Sequence, residues 1–197
     1  MFKPGGRARR VIILIILSAS CLLVACSQPA NNAEPTPVLS GAPSTAFPMP
    51  PVGSDLKDLG WTLADGKRAV VSDQHGKVMV LDLYATWCQP CRQSIPHLVK
   101  LHQRYASQGL ALVGLNVGGA DDRVRVPDFA AEYHITYPLG FPDKSLSDLL
   151  LSDNDTIPQT FVFGRDGRMI KRYIGYDDSM AESLDKLIQA ELAVESK

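Results

Sequence analysis

The sequence predicts an α/β domain over residues 55–197, built on a central mixed β-sheet with helices on both faces. Three observations predict it. A short β-branched and apolar run, Lys77 to Tyr84, leads into a segment of helical period, and a second such run follows from Leu110 to Val117. Near the C-terminus two further strand signals flank Arg165-Asp166-Gly167, and an amphipathic helix closes the chain. Strand-helix-strand followed by a hairpin and a terminal helix requires both parallel and antiparallel neighbours.

Each element has its own justification. Lys77 to Tyr84 is almost uninterrupted in apolar character, the signature of a strand covered on both faces. Residues 89–107 place Ile95, Leu98, Leu101 and Tyr105 on one helical face. Pro127 to Tyr133 and Ser145 to Leu151 read as two short helices. Thr160 to Phe163 and Met169 to Ile174 are strands joined by the Asp-Gly turn. The last helix opens on a capping box, Ser179 with Glu182, and turns Leu184, Leu187, Ile188 and Leu192 inward.

Ahead of this domain the composition changes twice. All four charges in residues 1–26 are basic, which leaves the remainder with 16 basic and 21 acidic side chains, a net of −5. A mildly acidic domain excludes a generally basic nucleic-acid binder. The basic cluster precedes an apolar run of 15 residues, 11–25, the shape of a signal peptide and shorter than a membrane span. The run ends Leu23-Val24-Ala25-Cys26, which resembles a bacterial lipobox. That resemblance implies that residues 1–25 are removed, that Cys26 is acylated, and that the protein is tethered to a membrane facing the periplasm or the outer cell surface. Ser27 after the lipidated cysteine favours the outer membrane by the enterobacterial sorting rule. Residues 26–54 then form a tether. Seven of the 14 prolines lie within it, among Asn, Ser, Ala and Gly. Such a chain reaches roughly 30 Å as a flexible coil and about 85 Å as polyproline II.

Chemistry concentrates in Trp87-Cys88-Gln89-Pro90-Cys91, at the junction of the first strand and its helix. Two cysteines three apart there can close a small disulfide ring. At the helix start Cys88 meets unpaired backbone N–H groups and the positive end of the dipole, both of which favour a thiolate. Cys88 is therefore expected to be the exposed nucleophile, and Cys91, one turn further in, the screened resolving thiol. An inert disulfide and half of a zinc or copper site are the alternatives, the second lacking another Cys-x-x-C or paired His. Asp82, on a central strand, must find a polar partner, carry a raised pKa, or point to solvent.

The motif resembles the thioredoxin superfamily and, within it, the TlpA, ResA and DsbE group of membrane-anchored thiol-disulfide oxidoreductases. The similarity runs over residues 55 to 195. Asp82 lies six residues before Cys88, Pro96 five after Cys91, Thr156-Ile157-Pro158 precedes a strand, and Gly175 precedes the last helix. The resemblance implies a thioredoxin-like fold and a redox-active Cys88–Cys91 disulfide. It implies an Asp82 that exchanges protons with Cys91, a helix kink at Pro96 and a cis Pro158. The Ile157 backbone is expected to pair with substrate, and Trp87 to pack over the disulfide and guide partners or else to cover the core. The substrates implied are disulfide-containing extracytoplasmic proteins, with a DsbD- or CcdA-like membrane reductase regenerating the dithiol and no dissociable cofactor. Gln159 stands where DsbE-like proteins carry Glu, which favours a general reductase or isomerase over a role in cytochrome c maturation. An oxidant of the same fold, and a copper- or heme-handling lipoprotein, are the other readings.

The remaining candidate ligands are ordinary. His75 sits in a turn and His134 follows a helix, both expected to be solvated, and His97 and His102 are five apart on one helix, off a shared face. Asp121, Asp122 and Asp128 lack the spacing of a calcium loop, so no metal site is expected.

Overall fold

The computed structural model describes residues 58–194. The leader, Cys26 and the whole proline-rich tether lie outside the described residues. Seven strands form one sheet: β1 (Gly60–Leu63), β2 (Arg68–Val70), β3 (Val78–Tyr84), β4 (Leu110–Asn116), β5 (Leu139–Pro142), β6 (Gln159–Phe163) and β7 (Met169–Ile174). Their order across the sheet is β2-β1-β5-β4-β3-β6-β7. β3, β4 and β5 run parallel, while β6 and β7 on one side and β1 and β2 on the other add antiparallel pairs. The helices are α1 (Gln89–Tyr105), α2 (Ala120–Arg123), α3 (Val126–Glu132), α4 (Lys144–Leu150) and α5 (Asp178–Ala193).

All seven residues of β3 are buried, as its uninterrupted apolar run requires. The period of two then divides its side chains between two cores. Val78, Val80 and Tyr84 pack with α1, α3 and α5. Met79, Leu81 and Leu83 pack with Leu146 and Leu150 of α4 and with Trp61 of β1. Asp82 belongs by this alternation to the α1 side, which is also the side of Cys91.

The structure adds three strands to the sequence reading and corrects one cap. Strands β1, β2 and β5 do not stand out from the sequence: they have four, three and four residues, and only the first two residues of β1 and β5 are buried. α5 is capped not by Ser179 but by Asp177, whose Oδ1 accepts from the Met180 N–H at 2.7 Å and from the Ser179 hydroxyl at 2.7 Å. A carboxylate is at least as good a cap as a hydroxyl, and Asp177 begins the helix two residues earlier than the box would. No helix among the described residues is long and apolar enough to cross a membrane.

Candidate active site

β3 delivers the chain into a tight turn, Ala85 to Cys88, closed by a bond from the Cys88 N–H to the Ala85 carbonyl at 3.2 Å. Cys88 is the N-cap of α1, and its Sγ accepts from the Cys91 N–H at 3.3 Å. Pro90 sits in the first turn, where its missing N–H costs nothing, and Pro96 interrupts the ladder further along. Cys88 and Cys91 are joined by a disulfide, with Cα atoms 5.3 Å apart. Cys91 is fully enclosed. Cys88 is not the exposed residue that the motif predicts: it is only 5% exposed. The loop before β6 covers it, bringing the Ile157 carbonyl oxygen to 3.7 Å from Cys88 Sγ. Trp87 stands out of this surface with 61% exposure, so it does not cover the core.

Asp82 does not reach solvent. Its Oδ1 accepts a 2.9 Å bond from the Thr160 hydroxyl, the residue opposite it on β6, and Oδ2 has no protein partner among the described residues. Burial pushes its carboxyl up to about 7, against the single bond from Thr160 that favours the charged form. Gly114 lies across the β3–β4 ladder from Asp82. A Cβ there would meet the Tyr84 and Tyr137 rings at 3.3 and 3.2 Å, so the glycine admits two aromatic rings beside the carboxyl. Both phenols are raised by burial first and by the Asp82 charge second.

The Ile157–Pro158 peptide is cis. The loop around it is held by Gln159, whose amide donates 2.7 Å bonds to the Asn154 and Thr156 carbonyls and accepts one from Arg172 Nε at 2.7 Å. Arg172 in turn grips Asp153 with contacts of 2.7 and 2.9 Å. Glu at position 159 has no donors for those two carbonyls, which accounts for an amide there.

A model of the AhpC/TSA family matches residues 52–172. The chain belongs to the AhpC/TSA family. It is 30% identical over 133 residues to thiol-disulfide oxidoreductase ResA of Bacillus subtilis, a match covering 67% of this chain and 70% of ResA. Among solved structures it is similar to a Chlorobium tepidum protein assigned as thiol:disulfide interchange protein DsbE, with a TM-score of 0.61 and 26% identity. That superposition covers 72% of this chain and all of the other. StoA of Bacillus subtilis shares the fold at a TM-score of 0.54 and 22% identity, over 68% of this chain and 98% of StoA. This AhpC/TSA-family member is a thiol-disulfide oxidoreductase of the TlpA/ResA/DsbE-like kind, with a thioredoxin-like fold.

One set of residues escapes the sequence reading. In this family member Asp122, at α2, is buried and accepts from the Thr86 N–H at 2.9 Å, from the Thr86 hydroxyl and from Asn116 Nδ2 at 2.7 Å. Burial opposes its charge, yet these bonds, with Arg125 nearby, hold its carboxyl below the ordinary carboxylate range. A Cβ at Gly118 would fall 2.3 Å from Asp122 Oδ2, so the glycine is what lets the carboxylate in. The only hint in the sequence is the Gly118-Gly119 pair between Asn116 and Asp122. Elsewhere His75 and His134 are exposed, and His102 Nδ1 lies 3.0 Å from the Thr136 hydroxyl. Among the described residues no three His, Cys, Asp or Glu side chains converge as metal ligands.

Proposed function

We propose that this oxidoreductase reduces or isomerises disulfides of extracytoplasmic proteins while tethered to a membrane through acylated Cys26. The dithiol form starts the cycle. The Cys88 thiolate attacks one sulfur of a substrate disulfide, forming a mixed disulfide and releasing one substrate thiolate, which takes a proton. Cys91 loses its proton and attacks Cys88 Sγ, releasing the second substrate thiolate and leaving the Cys88–Cys91 disulfide. Two electrons pass from the protein to the substrate. Asp82 accepts the Cys91 proton, the Ile157 backbone and Trp87 hold the substrate segment beside Cys88, and Pro158 shapes that loop. A DsbD- or CcdA-like membrane reductase restores the dithiol, and no dissociable cofactor takes part.

The observation that supports this reading best is the disulfide at the start of α1, its Cys88 sulfur at the N-cap and its Cys91 sulfur enclosed. The Cys91→Ala protein should accumulate mixed disulfides with substrate proteins, and Cys88→Ala almost none. Equal trapping by both would reject the assigned roles. Insulin reduction by the dithiol form tests direction, and Cys26→Ser should abolish incorporation of labelled fatty acid. Copper binding without insulin reduction would favour the metal-handling reading instead.

A further inference from the structure

Every polar group of Thr86, two residues before Cys88, is engaged. Its N–H and hydroxyl donate to the two oxygens of Asp122, and its carbonyl accepts from Arg92 Nε at 2.8 Å. The Arg92 guanidinium is held in turn over the Phe129 and Tyr133 rings, 5.5 and 5.8 Å from their centroids, and 3.7 Å from Glu132. Arg92 also donates its backbone N–H to the Cys88 carbonyl at 3.1 Å. The turn that carries Cys88 is thus clamped by a carboxylate from α2 and by a cation from α1.

We propose that Asp122 is a positioning residue for Cys88: acting through Thr86, it fixes the Ala85–Cys88 turn so that Cys88 Sγ stays over the first N–H groups of α1. This rests on the reading of Cys88 as the attacking sulfur. A hydrogen bond from the Cys91 N–H is weak to a neutral sulfur and strong to a thiolate, so keeping the sulfur at the N-cap favours the ionised form. The turn's own bond, from Cys88 to Ala85, does not fix Thr86. The groups that face Cys88 Sγ directly are the Cys91 N–H, which supports a thiolate, and the Ile157 carbonyl, which opposes one. Asp122 acts through the N–H and hydroxyl of Thr86, and Arg92 through its carbonyl. Loss of the Thr86 hydroxyl loosens the turn and leaves the Asp122 charge less compensated, and both effects oppose a thiolate at Cys88.

Iodoacetamide alkylation of the fully reduced full chain, followed against pH with the labelled cysteine identified by peptide mapping, tests this. Thr86→Val should slow alkylation of Cys88 about threefold at mildly acidic pH. A rise of about one unit in the thiol pKa cuts the thiolate fraction about tenfold while raising intrinsic nucleophilicity about threefold. Thr86→Ser, which keeps the donor, should restore the parent rate, and Thr86→Val should add nothing in an Asp122→Ala background, which removes both partners of Thr86. A parent-like rate for Thr86→Val, an equally slow Thr86→Ser, or undiminished slowing in the Asp122→Ala background overturns the proposal. A parent labelled first at Cys91 overturns the reading of Cys88 and the proposal with it, whereas a parent labelled at Cys88 with unchanged Thr86→Val overturns the clamp alone.

Discussion

Asp82 and Asp122 are both buried in one domain, and the protein shifts their carboxyls in opposite directions from the ordinary value. Asp82 receives one hydroxyl bond and is pushed up to about 7 by burial. Asp122 receives three bonds, from two side chains and a backbone N–H, and stays below the ordinary range although burial opposes it. Two differences act together: Asp82 is the more deeply buried and has one donor, whereas Asp122 is less deeply buried and has three. Each bond to a carboxylate contributes about 1.5–3 kcal/mol, so three bonds outweigh the smaller desolvation of Asp122 while one does not outweigh the larger desolvation of Asp82. The carboxyl left poorly satisfied is the one able to exchange a proton near neutral pH, and the well satisfied one serves as a fixed anion.

The largest expected effect is on Asp82. Its native pKa lies above the unfolded value of 3.8, so the stability linked to its proton is complete at low pH and is lost as pH rises through about 7. The neutral isostere in Asp82→Asn removes that loss. Chemical denaturation of the oxidised protein should show the variant gaining on the parent from pH 4 to pH 8, by at most on the order of 4 kcal/mol. A constant difference across that range would mean that Asp82 is ionised throughout.

Asp122→Asn should act in the opposite direction. It replaces a charged acceptor of three bonds by a neutral amide with one acceptor oxygen, which costs about 1–3 kcal/mol at neutral pH. The parent's advantage should shrink as acid protonates Asp122, because a depressed pKa gives stability that is present above the unfolded value and is lost as pH falls through the folded one. Denaturation midpoints of both proteins between pH 7 and pH 2 measure this.

Gln159→Glu sharpens the comparison by adding a third buried carboxyl. Two carbonyls would lose their donors and Arg172 would gain a charged partner, so the expected cost is about 2 kcal/mol, read as a lowered denaturation midpoint and faster proteolysis at residues 153–158. The smallest change is Thr160→Val, which removes the one bond to Asp82. It should move that carboxyl's titration further upward, visible by carbon-13 NMR, with about 1 kcal/mol lost below pH 6.

What the sequence shows of this arrangement follows from the range of the contacts. β3, α1, β4, the hairpin and α5 are legible because each writes its own period into consecutive residues. β1 and β5 are not, because Gly60, Gly140 and Pro142 break runs of only four residues, and the alternation of a strand needs more. Cys88 and Cys91 stand out by their own spacing, while Asp82 and Pro158 are singled out only through the family that the chain resembles. The cover over Cys88 is legible in neither way, since it comes from Ile157, 69 positions away. Asp122 reads as one of several loop acids because its partner Thr86 is 36 positions distant, and nothing local marks the two as neighbours.

The most direct test of the division between these carboxylates is the pH dependence of the resolving step, the attack of Cys91 on a preformed Cys88 mixed disulfide, in the parent and in Asp82→Asn. The parent rate should rise through an inflection near 7 as Asp82 becomes able to take the Cys91 proton. The variant should lack that rise and fall behind the parent mainly above neutral pH. Superimposable profiles would contradict the account and return Asp82 to a structural role.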